Sequence, residues 1–217
     1  MIEGDDRFST ALRRAADSIW EQQHQHPFVR GIGSGTVPRH QFERWVRQDY
    51  QFLIEYCRLF GFAAARSPDL PTLVRFAELL QTTVTTEMDL HRDFAARFGI
   101  SRSELEAEAM APATRAYTNF LLRTAALSDF AELAAALLPC MWGFSEIGLR
   151  LAAGPRPGNP LCAAWIDAYA DPEFQKLAGW CRELVDRLAV EAGSSLRIRM
   201  SDAFLTSSRY ELDFWSV

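Results

Sequence analysis

PRHQFERWVRQDYQFLIEYCRLFGFAAAR, residues 38–66, decides the fold class. Apolar side chains recur through it at three- and four-residue steps, the period of one helix face. Pro38 stands at the first turn, where its missing N–H leaves no gap in the helical ladder. Ser67-Pro68-Asp69-Leu70-Pro71 breaks the run at its far end. One polar residue intrudes on the apolar stripe. Asp49 lies between Trp45 and Phe52-Leu53, and its short carboxylate is a poor mid-helix choice because it competes for backbone groups. Such an acid either makes a buried hydrogen bond, for which Arg44 or Arg47 could serve, or meets a ligand.

The same period extends outward in both directions. A first helix is expected over 7–25, ending before His26-Pro27 because the residue ahead of a proline is pushed from helical geometry. Residues 31–38 read as a turn-rich loop. Helices follow over 72–98, stopped by Gly99, then 101–108 behind a capping box, 112–126, and 129–153 with Ser128 or Asp129 as cap. Further helices cover 160–169, 172–192 (closed by Gly193-Ser194-Ser195) and 200–214. No alternating β-branched run competes. The reading is an all-α, single-domain helical bundle over 1–217, packed around a central core or cavity.

Composition narrows the function. Of 217 residues 48% are hydrophobic, and six Trp and fifteen Phe supply bulky core or pocket material. A net charge of −5 offers no footprint for nucleic acid or an anionic membrane. The apolar run 131–144 is bounded by Glu132 and Glu146, short of a membrane span. The chain opens with acids rather than a signal-like apolar run, and Cys57, Cys140, Cys162 and Cys181 form no CxxC pair. A cytoplasmic protein with free thiols is expected. Cys57, Cys162 and Cys181 read as packing residues.

Cys140 differs. It follows Pro139, which cannot donate its N–H and crowds the carbonyl of Ala135, so a kink is expected there. Gly143 removes bulk one turn on. Space beside a thiol suits a nucleophile, although most free cysteines are small buried hydrophobes, and a reactive one needs a base or positive surroundings. Glu211 sits among Tyr210, Leu212, Phe214 and Trp215. Read alone it is a solvent-facing glutamate at a fraying chain end; burial would raise its pKa into a useful acid–base range. Tyr117, Trp142 with Phe144, and Tyr169 lie on three helices, and each reads singly as core; together they could line a slot for a flat heterocycle. Glu87 and His91, one turn apart, could begin a di-iron site. No histidine follows His91 to complete it, so they read as a surface or structural pair.

Taken in order, these segments resemble the TenA (thiaminase II) family. The likeness is carried by Trp20, His26-Pro27-Phe28, Gly35-Thr36-Val37-Pro38, Gln48-Asp49-Tyr50, Glu87 with His91, Ala116-Tyr117-Thr118, Leu138-Pro139-Cys140-Met141-Trp142, Trp165 with Tyr169, and Tyr210-Glu211 with Phe214-Trp215. It spans almost the whole chain. The resemblance implies a haem-oxygenase-like helical fold, a homotetramer, no haem or other cofactor, and hydrolysis of thiamin or its aminomethylpyrimidine breakdown product for thiamin salvage. It implies Cys140 as nucleophile, Glu211 as acid–base carboxylate, Asp49 as the group orienting the pyrimidine, and Phe52, Tyr117, Phe144 and Tyr169 as ring contacts. Phe144 departs from the tyrosine many members carry. That leaves open a non-catalytic pyrimidine-binding or regulatory protein on the same scaffold.

Overall fold

The computed structural model describes residues 7–217, and its regular elements there are all helical. In chain order they are α1 (Phe8–Ala15), α2 (Asp17–Gln25), α3 (Pro27–Ser34), α4 (Arg39–Ala65), α5 (Leu70–Thr82), a π-turn (Thr83–Glu87), α6 (Met88–Phe98), α7 (Arg102–Glu106), α8 (Pro112–Leu127), α9 (Phe130–Ala152), α10 (Pro160–Ala170), α11 (Pro172–Glu191) and α12 (Ser194–Phe214).

Local chemistry sets most of these ends. Asp129 and Glu132 form a reciprocal capping box at the start of α9, as Ser101 and Glu104 do for α7. Gly99 closes α6 at φ 81°, and Gly35 closes α3 at φ 74°, both in the left-handed region glycine enters without a Cβ clash.

Four expectations need correction. The first helix is divided at Ala16, and part of the supposed loop 31–38 is helical as the end of α3. Gly193 opens α12 instead of closing α11, so the last helix starts six residues early. The helix expected over 72–98 is interrupted at Thr83–Glu87, where a threonine-rich, β-branched run widens into a π-turn.

α9 is the central helix and packs most extensively on α12, α11 and α10. Its residues 133–139 and 141–145 are all buried. By length and composition it could cross a membrane, yet 78% of its most apolar stretch is buried inside the fold. α4 belongs to the other half, against α5, α6 and α8. α8 bridges α4 to α12 and α9, so α4, α8, α12 and α9 form a ring of four whose weakest contact is α4 with α9. That gap positions the site.

Candidate active site

Between α4 and α9 lies a narrow, partly open cavity. Asp49, Phe52 and Tyr56 reach it from α4, Cys140 and Phe144 from α9. Glu87 of the π-turn, Tyr169 of α10 and Phe174 of α11 close the remaining sides. Tyr169 can stand so close because Gly148 has no side chain. A Cβ there would lie 2.5 Å from the Tyr169 carbonyl carbon. The walls are largely aromatic, with Phe144 and Tyr169 ring centroids 4.9 Å apart. Such walls suit a flat ring.

Cys140 is the one partly accessible residue within 133–145, and its neighbours on both sides are buried. α9 continues through Pro139 as helix. Burial pushes the thiol pKa well up, and the charges of Glu211, Glu87 and Asp49 push it further, against a hydrogen bond with Tyr56. The resting group is therefore a thiol. Glu211, 2% exposed, meets that thiol and the Tyr117 hydroxyl, the latter 2.6 Å from its Oε1. Burial raises its pKa to about 8, Asp49 adds to the rise, and the hydrogen bonds from Tyr117 and Cys140 oppose it. Two groups that both hold protons near neutrality stand side by side. Proton transfer between them needs little movement.

Asp49 is held from behind. Its Oδ2 lies 2.5 Å from His91 Nε2, while His91 Nδ1 lies 2.9 Å from the Glu87 backbone carbonyl. A carbonyl only accepts, so Nδ1 carries a proton, and Nε2 faces a carboxylate. Burial works against a charged ring, but the Asp49 charge and hydrogen bond, with Glu87, win and raise the His91 pKa. His91 is fully buried, so of the two readings of Glu87 and His91, a surface or a structural pair, the surface one is corrected. Asp49 turns to neither nearby arginine; Arg47 pairs with Glu43 and Glu108. Burial lifts the Glu87 pKa to about 7, with His91 opposing and Asp49 adding, and the Tyr169 hydroxyl donates to Glu87 Oε1 at 3.2 Å. The site thus gathers three carboxyl groups and a thiol against a single imidazole. No group of three or more ligand-type side chains among the described residues is placed to hold a metal ion.

The family model described as TENA/THI-4/PQQC matches residues 13–217. The chain belongs to this family. An aminopyrimidine aminohydrolase of Halalkalibacterium halodurans is 41% identical over 97% of this chain and 94% of that protein. The crystal structure of a TenA family transcription regulator from Silicibacter sp. covers 100% of this chain and 98% of its own, with a TM-score of 0.91 at 30% identity. A haem-oxygenase-like domain from Shewanella denitrificans shares the fold alone, with a TM-score of 0.72 at 11% identity, over 95% of this chain and 90% of that one. The expected all-α, haem-oxygenase-like architecture is the one this TENA/THI-4/PQQC family member adopts.

The structure brings Asp49, Phe52, Cys140, Phe144 and Tyr169 to one cavity. Tyr117 and Glu211 stand in a layer behind it: the Tyr117 ring packs on Phe52 at 5.0 Å, and its hydroxyl turns to Glu211 and Ser207. The reading of Glu211 as an exposed chain end is overturned, because α12 packs along its length on α9 and α8. Trp142 lies in the core against Trp20 and Arg182. Sequence reasoning missed Tyr56 and Glu87 as site residues. The threonine run before Glu87 was the available signal, since β-branched residues strain a regular helix and π-turns recur at functional sites.

Proposed function

We propose that this chain is a hydrolase of thiamin-pathway pyrimidines, converting 4-amino-5-aminomethyl-2-methylpyrimidine, thiamin or both to the 5-hydroxymethyl product for thiamin salvage. The observation that carries the reading is the Cys140 thiol, open to an aromatic slot and in contact with the buried Glu211 carboxyl. The kinship with an aminopyrimidine aminohydrolase supports it.

The chemistry needs such a pair. The leaving amine or thiazolium hangs on a methylene of an aromatic ring, where direct displacement is unfavourable. Cys140 gives up its proton and its sulfur adds to the ring carbon beside the methylene-bearing one. Glu211, in this reading, passes its own proton to a ring nitrogen and takes up the proton the thiol gives. The electron-rich ring then expels the leaving group, water adds to the exocyclic methylene, and sulfur departs as aromaticity returns. One hard step becomes several easier ones. Asp49, oriented by His91, polarises the aminopyrimidine edge, and the aromatic walls hold the ring in attack geometry.

Electrostatics explain how the thiol becomes a nucleophile. With Asp49, Glu87 and Glu211 around it, the free site resists ionisation of sulfur. Both substrates bring positive charge, as ammonium or thiazolium. A cation in this acid-rich cavity offsets the carboxyl field and lowers the pKa of thiol and carboxyl together. Binding thereby switches on the nucleophile. The proposed protein is a single cytoplasmic domain, needs no cofactor in these steps, and assembles as a homotetramer. Exposed Leu70 and Val74 near Trp180 support association.

Incubating the protein with the aminomethylpyrimidine and following the hydroxymethyl product tests the reading. Cys140→Ala should abolish turnover while pyrimidine binding persists. Near-normal turnover in that variant removes the nucleophile assignment; binding without turnover in the unaltered protein favours a pyrimidine-binding protein instead.

A further inference from the structure

Behind Glu211 three polar groups lie in line, all of them buried. The Tyr117 hydroxyl is 2.6 Å from Glu211 Oε1 and 2.9 Å from Ser207 Oγ, and Ser207 Oγ is 2.6 Å from the Ala136 carbonyl oxygen. Ser207 and Tyr117 are 0% and 1% exposed, so no bulk water shares these bonds. The last acceptor is informative. In an α-helix the carbonyl of residue 136 receives the amide of residue 140, so the line ends on the turn that carries the thiol.

Each hydroxyl holds one hydrogen, and the carbonyl can only accept. Two directions of donation put a hydrogen between Tyr117 and Ser207. When Glu211 is protonated, its O–H donates to Tyr117, Tyr117 donates to Ser207, and Ser207 donates to the Ala136 carbonyl. When Glu211 is ionised, Ser207 donates to Tyr117 and Tyr117 donates to the carboxylate, while Ala136 keeps its helical partner. We propose that Ser207 and Tyr117 are positioning residues forming a hydrogen-bond chain from Glu211 to the Ala136 carbonyl, whose polarity reverses each time Glu211 releases and regains its proton. Neither state strands a buried polar group, and only hydroxyl hydrogens rotate. The protonated arrangement contains three bonds and the ionised one two, so the carbonyl terminus biases Glu211 toward carrying a proton. This rests on the reading of Glu211 as the acid–base carboxylate and says how the fold lets it serve in both directions.

Burial and the Asp49 charge also favour the protonated form, and the chain adds to them. Cys140 of α9 contacts it, and Asp49 and Tyr56 of α4 act through space. From the N-terminal helices, Arg13 and His24 are committed to Glu146. Ser208, next along α12, accepts from Trp20 Nε1 and has no part in the line.

The test is an infrared titration of the folded, unliganded protein. The C=O band of the protonated carboxyl is assigned by its absence in Glu211→Gln, and its midpoint is followed with pH. Ser207→Ala removes the carbonyl terminus and loses more bonds from the protonated arrangement than from the ionised one. Its midpoint should fall by about one pH unit, what one hydrogen bond is worth on that scale. Ser207→Thr, which keeps the hydroxyl, should restore it. Tyr117→Phe cuts the line beside the carboxyl and takes a charge-assisted bond from the ionised form, so its midpoint should rise. Opposite shifts support a reversible chain. An unchanged midpoint in Ser207→Ala, or shifts of one sign in both variants, overturns it, and Tyr117→Phe alone decides if the serine variant does not fold. The titration needs no turnover. Opposite shifts in a protein that cannot hydrolyse pyrimidines would sink the functional reading and leave the chain standing; no shift in an active enzyme would do the reverse.

Discussion

Glu146 and Glu211 sit on α9 and α12, the two helices that pack most extensively on each other, and their surroundings drive them in opposite directions. Glu146 accepts from Arg13 Nε and Nη2 at 3.0 and 2.7 Å and lies 2.9 Å from His24 Nε2. Burial opposes its charge, but those two partners win and hold its pKa down to about 2. Glu211 meets a thiol and a phenol and no cation; burial leads, and the pKa goes up to about 8. Residue type and secondary structure are the same. The difference lies in counter-charge, and it separates a carboxylate that ties helices together from a carboxyl that holds its proton near neutrality.

Glu211→Gln is the harshest way to break this comparison. Removing the acid should lower turnover of the aminomethylpyrimidine by about 10²–10⁴-fold, the usual span for general acid–base catalysis. Stability should move the other way. Folding lifts this carboxyl from 4.5 to about 8, so between those values the unfolded chain sheds a proton that the folded one keeps. Stability is then lost as pH rises through that window. The glutamine variant escapes the loss, and its Tm should exceed the unaltered protein's at pH 8, with the gap closing below pH 4.5. Thermal melts across pH decide it; a lower Tm at pH 8 would mean that Glu211 is a structural residue.

The same contrast explains what could be read in the chain. The helices were legible because caps, prolines and apolar period are local, and Asp49 stood out because an acid interrupts the stripe of α4. Cys140 stood out through Pro139 and Gly143. Burial of Glu211 was not legible, since it depends on α12 lying between α8 and α9, and nothing within residues 208–215 states that. The partner of Asp49 was hidden for the same reason: His91 is 42 residues away, and two arginines were nearer in sequence. Glu87 was hidden by a widened turn inside a predicted regular helix. What stayed out of reach was the set of contacts between helices, and those contacts determine which acid finds a cation.

Glu146→Gln sharpens the comparison from the structural side. The group is partly exposed, with side-chain exposures of 29% for Glu146 and 19% for Arg13, so solvent screens the pair. A loss of about 1–2 kcal/mol at pH 7 is expected, between surface and fully buried cases. Folding lowers this pKa from 4.5 to about 2, so its stabilisation is present above pH 4.5 and is lost as pH falls toward 2. Urea titrations at pH 7 and pH 3 should show a smaller deficit in the variant at the lower pH, with kcat near that of the unaltered enzyme. A large drop in kcat would place the Arg13–Glu146–His24 cluster in the chemistry.

Phe144→Tyr gives the smallest and most local effect, because it adds one neutral donor to the side of α9 that lacks a cation. Phe144 faces the cavity one turn after Cys140, with ring centroids of Tyr169 and Trp215 at 4.9 and 5.0 Å. A hydroxyl at its tip can donate toward sulfur or toward a bound pyrimidine. One such bond is worth about 1 kcal/mol, which is about fivefold in a rate or a binding constant. If sulfur receives it, the thiolate gains and the pH midpoint of Cys140 alkylation by iodoacetamide falls. If the pyrimidine receives it, KM falls and the alkylation profile stays put. Neither changing would mean the new hydroxyl points into the aromatic wall, and the uncompensated acids around Cys140 would then owe nothing to the missing phenol.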